Sequence, residues 1–238
     1  MNKRKNLSKA YLTFAIIGIL VTIVGFIPTY FRPLLEAKKF GLVFHFHGLF
    51  AACWLILFLV QTTLINKQNV GLHKKLGYFG LFIMVGLVIS LQLVGFTQSG
   101  ILVQEGSDNV VTFLGTILDS LTFGILVLFG TIKRKRIEIH KRLMLLATIL
   151  LLWVAWVRLR YYFPPFEGNF DVFGFGLAML PIPIFWLIEY SYFRKIHPVM
   201  LYVGIAVIIE QGFQVLFSES KFYMDFAAYV FRLAGGSF

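Results

Sequence analysis

Three short stretches of the chain begin alike. "GLHKKLGYFGLFI", "EIHKRLMLLATIL" and "KIHPVMLYVGIAV" each set a histidine (His73, His140 and His197) just before an apolar run. Two imidazoles held at one level on neighbouring helices can ligate haem b iron, and three can hold zinc or copper. The lysines and arginines beside them suit haem propionates, and they equally suit anionic lipid headgroups. A second polar set stands inside otherwise apolar runs: His47, Gln92, Asp119, Arg158, Glu210 and Gln214. A charge at the centre of a membrane span costs about 2.5–3.5 kcal/mol, so Asp119 and Glu210 must face an interior, pair, or be protonated. An Asp119–Arg158 pair is expected. In "VFHFHGLFAACWLILFLVQTTLI", His47, Trp54 and Gln61 are spaced by sevens and share one helix face, with His45 turned roughly the other way. These residues are expected to line a polar pocket for a small polar or anionic solute, with Arg158 as anion partner. The alternative is that they only hydrogen-bond helices together.

The elements that carry them follow from composition. Of 238 residues, 58% are hydrophobic and 14% charged, with 27 phenylalanines. A soluble domain carries about 25% charged residues, so the chain reads as a polytopic membrane protein. Seven apolar segments run approximately over 10–31, 41–65, 76–97, 110–132, 143–163, 171–193 and 198–217. They are expected to be helices, because lipid cannot satisfy an open backbone. That is an all-α bundle in a single domain over 1–217, followed by a tail over 218–238. The first segment reads as a retained span rather than a cleaved signal, since "GFIPTYF" offers no small-x-small site. Pro181 and Pro183 in "LPIPIF" should kink the sixth segment. His140 and Arg158 are eighteen apart, five whole turns, and are expected on one face of the fifth. In the tail, Phe222, Phe226, Tyr229 and Leu233 share one helical face, and Lys221, Asp225 and Arg232 another. This suits a helix lying on the outer membrane surface.

The net charge of +11 does not mark a nucleic-acid binder. The basic residues lie in short loops between apolar runs, where the expected partner is anionic lipid of the bilayer. With the N-terminus inside, the inner regions hold fifteen of the 22 basic residues, six of them in "KRKRIEIHKR". The outer regions collect Glu36, Glu105, Asp108, Glu167, Asp171, Glu219 and Asp225. The expectation is N-terminus inside and C-terminus outside, with "TQSGILVQEGSDN" an outer loop. His73, His140 and His197 then lie at the inner face and the polar pocket in the outer half. The lone Cys53 excludes an intrachain disulfide.

The segments "HFHGLFAACWLILFLVQTTL", "LHKKLGYFGL", "HKRLMLLATILLLWVAWVRL" and "IHPVML" together resemble an uncharacterised family of bacterial predicted membrane proteins. These carry HxHG…W…Q, H-[RK]-[RK]-LG and HKRLMLLAT…R segments in this order. The marked positions would be His45, His47, Gly48, Trp54, Gln61, His73, Leu76, Gly77, His140, Arg142, Met144 and Arg158. The resemblance implies a bacterial cytoplasmic (inner) membrane location and no particular reaction. A looser similarity to ascorbate-type transmembrane b cytochromes implies at most one haem, on the inner side, because the outer half has histidines on one helix only. Three functions stay open: a solute-binding or solute-moving pocket, a haem-binding redox protein, and an accessory protein without chemistry. No CxxC, HExxH, GxGxxG or Gly-rich phosphate loop is present, so no enzyme class is read.

Overall fold

The computed structural model describes residues 3–163 and 171–237. Glu167 lies outside them. The chain forms α1 (Lys3–Phe26), α2 (Arg32–Leu35), α3 (Leu42–Asn66), α4 (Val70–Gln104), α5 (Val111–Ile132), α6 (Ile137–Leu151), α7 (Trp153–Arg158), α8 (Leu177–Met179), α9 (Pro181–Phe193), α10 (Gly204–Phe217) and α11 (Lys221–Leu233). There is no strand among the described residues. Seven helical stretches are long and apolar enough to cross a membrane: Lys5–Leu35, Leu42–Asn66, Val70–Gln104, Val111–Ile132, Ile137–Tyr162, Gly174–Phe193 and Val199–Phe217. The protein is an integral, multi-pass, all-α membrane protein, as expected from the apolar runs.

The fifth span is the axis of the bundle. Its most apolar window is 61% buried, against 17% for the second and third spans. Leu145, Leu146, Ala147 and Ile149 of α6 are fully enclosed. The outer faces are no less apolar: Leu20, Phe46, Phe82, Leu187 and Leu216 are all exposed. Apolar surface on both sides of a helix is what a span buried in lipid requires. Helices approach closely where glycine leaves room. A Cβ on Gly25 would meet the Ala155 carbonyl, and one on Gly95 would overlap Thr116.

Several spans are interrupted, each at an identifiable residue. Pro181 opens α9, and its missing N–H interrupts the hydrogen-bond ladder of the sixth span, while Leu180 before it keeps right-handed helical backbone angles. A π-helical turn over Ile27–Phe31 contains Pro28, and another over Val199–Val203 follows Pro198. The fifth span breaks at Leu152, whose N–H is shared between the Thr148 and Ile149 carbonyls. The third span is longer than expected at both ends. Asn69 caps its start through Leu72 N, and the helix runs on through "TQSGILVQ" to Gln104, so only the last part of that expected loop is non-helical.

The tail forms α11, with Ser220 as N-cap. Tyr223, Ala227 and Phe231 pack against Val110, Phe113 and Leu114 at the start of α5. Phe222, Phe226, Tyr229 and Leu233 remain exposed as a second apolar face, the one read from the sequence.

At the opposite end, charge is buried. Arg142 of α6 donates from Nε to Glu189 Oε1 of α9 at 2.7 Å and from Nη1 to Glu138 Oε2 at 2.7 Å. Glu189 Oε2 accepts the His197 N–H at 2.8 Å. Arg142 is 3% and Glu189 0% exposed. Removing one partner of such a pair strands the other, at about 3–5 kcal/mol. Glu189→Ala should therefore lower the unfolding free energy in detergent by about that much. The double variant Arg142→Met/Glu189→Leu should recover part of the loss. Equal stability of Glu189→Ala and wild type in a denaturant titration would show that the pair does not hold α6 to α9.

Candidate functional site

A cavity of about 370 Å³ opens inside the bundle, at the end away from His73 and His140. It is walled mostly by apolar side chains, among them Leu55, Leu87, Leu91, Phe123, Leu150 and Val157. Four of the residues singled out in the sequence line it: His47, Asp119, Arg158 and Gln214. Each arrives on a different element, α3, α5, α7 and α10.

Arg158 is fixed by neutral partners. Its Nε donates to Thr29 Oγ1 at 3.0 Å, its Nη1 to the Val154 carbonyl at 2.8 Å, and its guanidinium lies 4.3 Å over the Phe26 ring. No carboxylate contacts it among the described residues. The expected Asp119–Arg158 pair is not formed. Arg158 is drawn to the α1 side, where Thr29 and Phe26 take it. Asp119 is drawn to α10.

There, two glutamine amides bridge two carboxylates. Gln211 Nε2 donates to Asp119 Oδ1 at 2.7 Å and to Glu210 Oε2 at 2.9 Å. Gln214 Nε2 donates to Asp119 Oδ1 at 2.9 Å and to Glu210 Oε1 at 2.6 Å. Both protons of each amide are used, so the acids are held close by shared donors without a cation. Gln211, which the sequence reading left aside, is the more buried of the two, at 3% exposed. Glu210 itself stands behind the cavity wall.

His47 Nδ1 lies 3.2 Å from Ser90 Oγ. The Ser90 proton goes to the Leu87 carbonyl, so His47 Nδ1 is the donor and its Nε2 is left as an acceptor. Tyr223 closes the cavity from α11. Burial, and then the Asp119 and Glu210 carboxylates, push its hydroxyl up to about 12, so it stays protonated and able to donate.

The other expected pocket residues do not line the cavity. Trp54 donates to Thr148 Oγ1 in the core at 3.2 Å. Gln92 donates to the Thr116 carbonyl at 3.0 Å and to Ser120 Oγ, supporting the wall from behind. Gln61 lies about four turns from His47 along α3, beside Gly77. One face of α3 thus holds His47, Trp54 and Gln61 as read, but at three depths with three sets of neighbours.

The three histidines are not assembled as one set. His73 and His140 meet, with ring centroids 6.4 Å apart and planes at 83°. His197 is in the turn before α10, where its Nδ1 accepts the Val199 N–H. It faces the Arg142–Glu189 pair. Arg142 is two residues past His140 and so on the far side of α6. Burial, then the nearby Arg142 charge, holds His197 below the ordinary histidine range. No group of three His, Cys, Asp or Glu is placed to hold a metal ion among the described residues. Nor do His140 and Arg158 line one continuous face. His140 turns to α5 and Arg158 to α1, on either side of the break at Leu152.

The glutamine bridges make a direct prediction. Gln211→Leu removes donors from both acids and leaves buried acceptors unmade, which costs about 1–3 kcal/mol. The expected outcome is a lower thermal midpoint in detergent at neutral pH, recovering at acid pH once the carboxylates are protonated. An unchanged midpoint at both pH values would mean that the bridges carry no stability. Comparison with known proteins adds no identity: no protein-family model, no curated protein and no solved structure matches this chain.

Proposed function

We propose that the protein binds a small organic anion in the cavity of the bundle, with Arg158 as the partner of the anionic group. The observation that carries this reading is the state of Arg158. It lines the cavity, is held by a hydroxyl, a carbonyl and a ring, and is met by no carboxylate among the described residues. The apolar walls call for a solute with an apolar body. His47 Nε2 and Asp119 offer acceptors, so the solute also carries a hydroxyl or N–H donor. The volume is at the lower end of small-molecule pockets, which run from about 300 to 1,000 Å³. Paired acids beside a solute site inside a membrane are where proton relays occur, which supports movement of the solute as well as its binding.

Phenyllactate, which has a carboxylate, a hydroxyl and an apolar ring, is the first probe, with benzoate lacking the hydroxyl as its comparison. A charge-assisted hydrogen bond contributes about 1.5–3 kcal/mol, so Arg158→Ala should weaken phenyllactate binding by about 10-fold or more. Lys221→Ala, on the exposed face of α11, should not change it. No binding to the wild type across a panel of carboxylates and phosphates, or equal binding to Arg158→Ala, would sink the reading.

The proposal includes a setting. The basic loops favour the cytoplasmic side for the N-terminus, which puts the cavity in the outer half of a bacterial inner membrane. The motif resemblance supports the bacterial assignment. In a Cys53→Ser background, Asp108→Cys should react with a membrane-impermeant maleimide in intact cells, and Arg134→Cys only after permeabilisation. The reverse pattern would invert the topology.

A further inference from the structure

The end of the bundle away from the cavity holds three polar side-chain atoms with no hydrogen-bond partner among the described residues. His73 Nδ1 and Gln61 Oε1 are buried, and neither has a hydrogen-bond partner. The third belongs to His140. Its Nδ1 lies 2.8 Å from the Gly130 carbonyl. A carbonyl only accepts, so Nδ1 carries the proton and Nε2 carries the lone pair. The absence of a side chain at Gly130 makes this approach available, since a Cβ there would strike Met144.

The three residues are neighbours. The His73 and His140 rings are 6.4 Å apart between centroids. The His73 ring approaches the Gln61 main-chain carbonyl. The Gln61 amide lies against Gly77, one turn beyond His73 on α4. A hydrogen-bond donor from the protein would have to come from a side chain, and none reaches His73 Nδ1 or Gln61 Oε1. A metal ion takes such lone pairs as ligands.

We infer that His73 and His140, with Gln61 as an oxygen ligand, form a binding site for a transition-metal ion such as Zn²⁺ or Cu²⁺. Imidazole nitrogen suits these ions. A metal–nitrogen distance of about 2.0–2.1 Å to each ring, with the radius of each ring added, sets two imidazole centroids on one tetrahedral ion about 5 Å apart. The pair stands at 6.4 Å, so the rings close by about 1 Å when they share an ion. The second shell fits as well. A ligating histidine usually gives its other ring N–H to a carbonyl or carboxylate, which fixes tautomer and orientation, and Gly130 does this for His140. His197 takes no part, being held across α6 as a helix cap. The site is separate from the anion cavity, and either assignment can fail without the other.

The experiment uses the full-length protein in detergent. Elemental analysis and an absorption spectrum are taken on the sample as isolated. After chelation the protein is titrated with Zn²⁺ alone and with Cu²⁺ alone. One equivalent of metal per chain is expected. His73→Ala and His140→Ala should each weaken binding by at least about 10-fold, the loss that even an outer partner of a ligand produces. Gln61→Leu should weaken it less, and His197→Ala should leave it unchanged. Gel filtration shows which variants remain folded. Where an alanine variant aggregates, His73→Gln or His140→Gln replaces it. A wild type that binds neither ion, or a folded His73 variant that binds as well as the wild type, overturns the inference. A Soret band also overturns it, by placing haem iron rather than a lone ion between the two rings.

Discussion

Hydrocarbon offers no hydrogen bonds, and every polar group carried into it must find its partner within the protein. This one constraint runs through the structure from backbone to cavity. It makes the spans helical. It sends Thr22, Thr62, Thr63 and Thr148 back to carbonyls of their own helices. It closes Arg142, Glu138, Glu189 and the His197 N–H into a single network between α6 and α9. It also gives meaning to the exceptions. Among the described residues, His73 Nδ1 and Gln61 Oε1 are buried without a partner, and the Arg158 guanidinium faces a cavity without a carboxylate.

The central span joins the two chemically distinct ends. One end of α6 carries His140 and Arg142 on opposite sides, so neighbouring residues serve different neighbours. Past the break at Leu152, α7 carries Arg158 into the cavity. The break lets the polar residues of this span answer to different helices rather than to one stripe. The cavity wall is likewise composite, since α11 adds Tyr223 to a lining otherwise drawn from the bundle.

Much of this was legible in the sequence, and the limits have physical causes. Apolar length is a local property, so all seven spans could be marked from it. Span ends depend on caps such as Asn69 and on packing of small residues such as Ser99, which is why α4 outran its expected bounds at both ends. Depth along a helix follows from rise per residue, and His47, Asp119, Arg158 and Gln214 do reach one cavity. Lateral neighbours do not follow from rise. Asp119 was assigned to Arg158 on charge alone, yet α10 lies against Asp119 and α1 against Arg158. Glu189 carried a readable signal, a lone acid in "WLIEYSYF" at the level of "HKR". What was missing was the knowledge that α6 and α9 touch.

The length of α4 has a consequence for the membrane itself. Its 35 residues rise about 52 Å, whereas the hydrocarbon layer is about 30 Å thick. Lys74 and Lys75 near one end and Glu105 just past the other cannot both rest at the boundaries of a flat bilayer around an upright helix. The helix must slant, project, or draw the lipid up around it. In a bundle fastened by buried charge, a slant of α4 is shared by its neighbours.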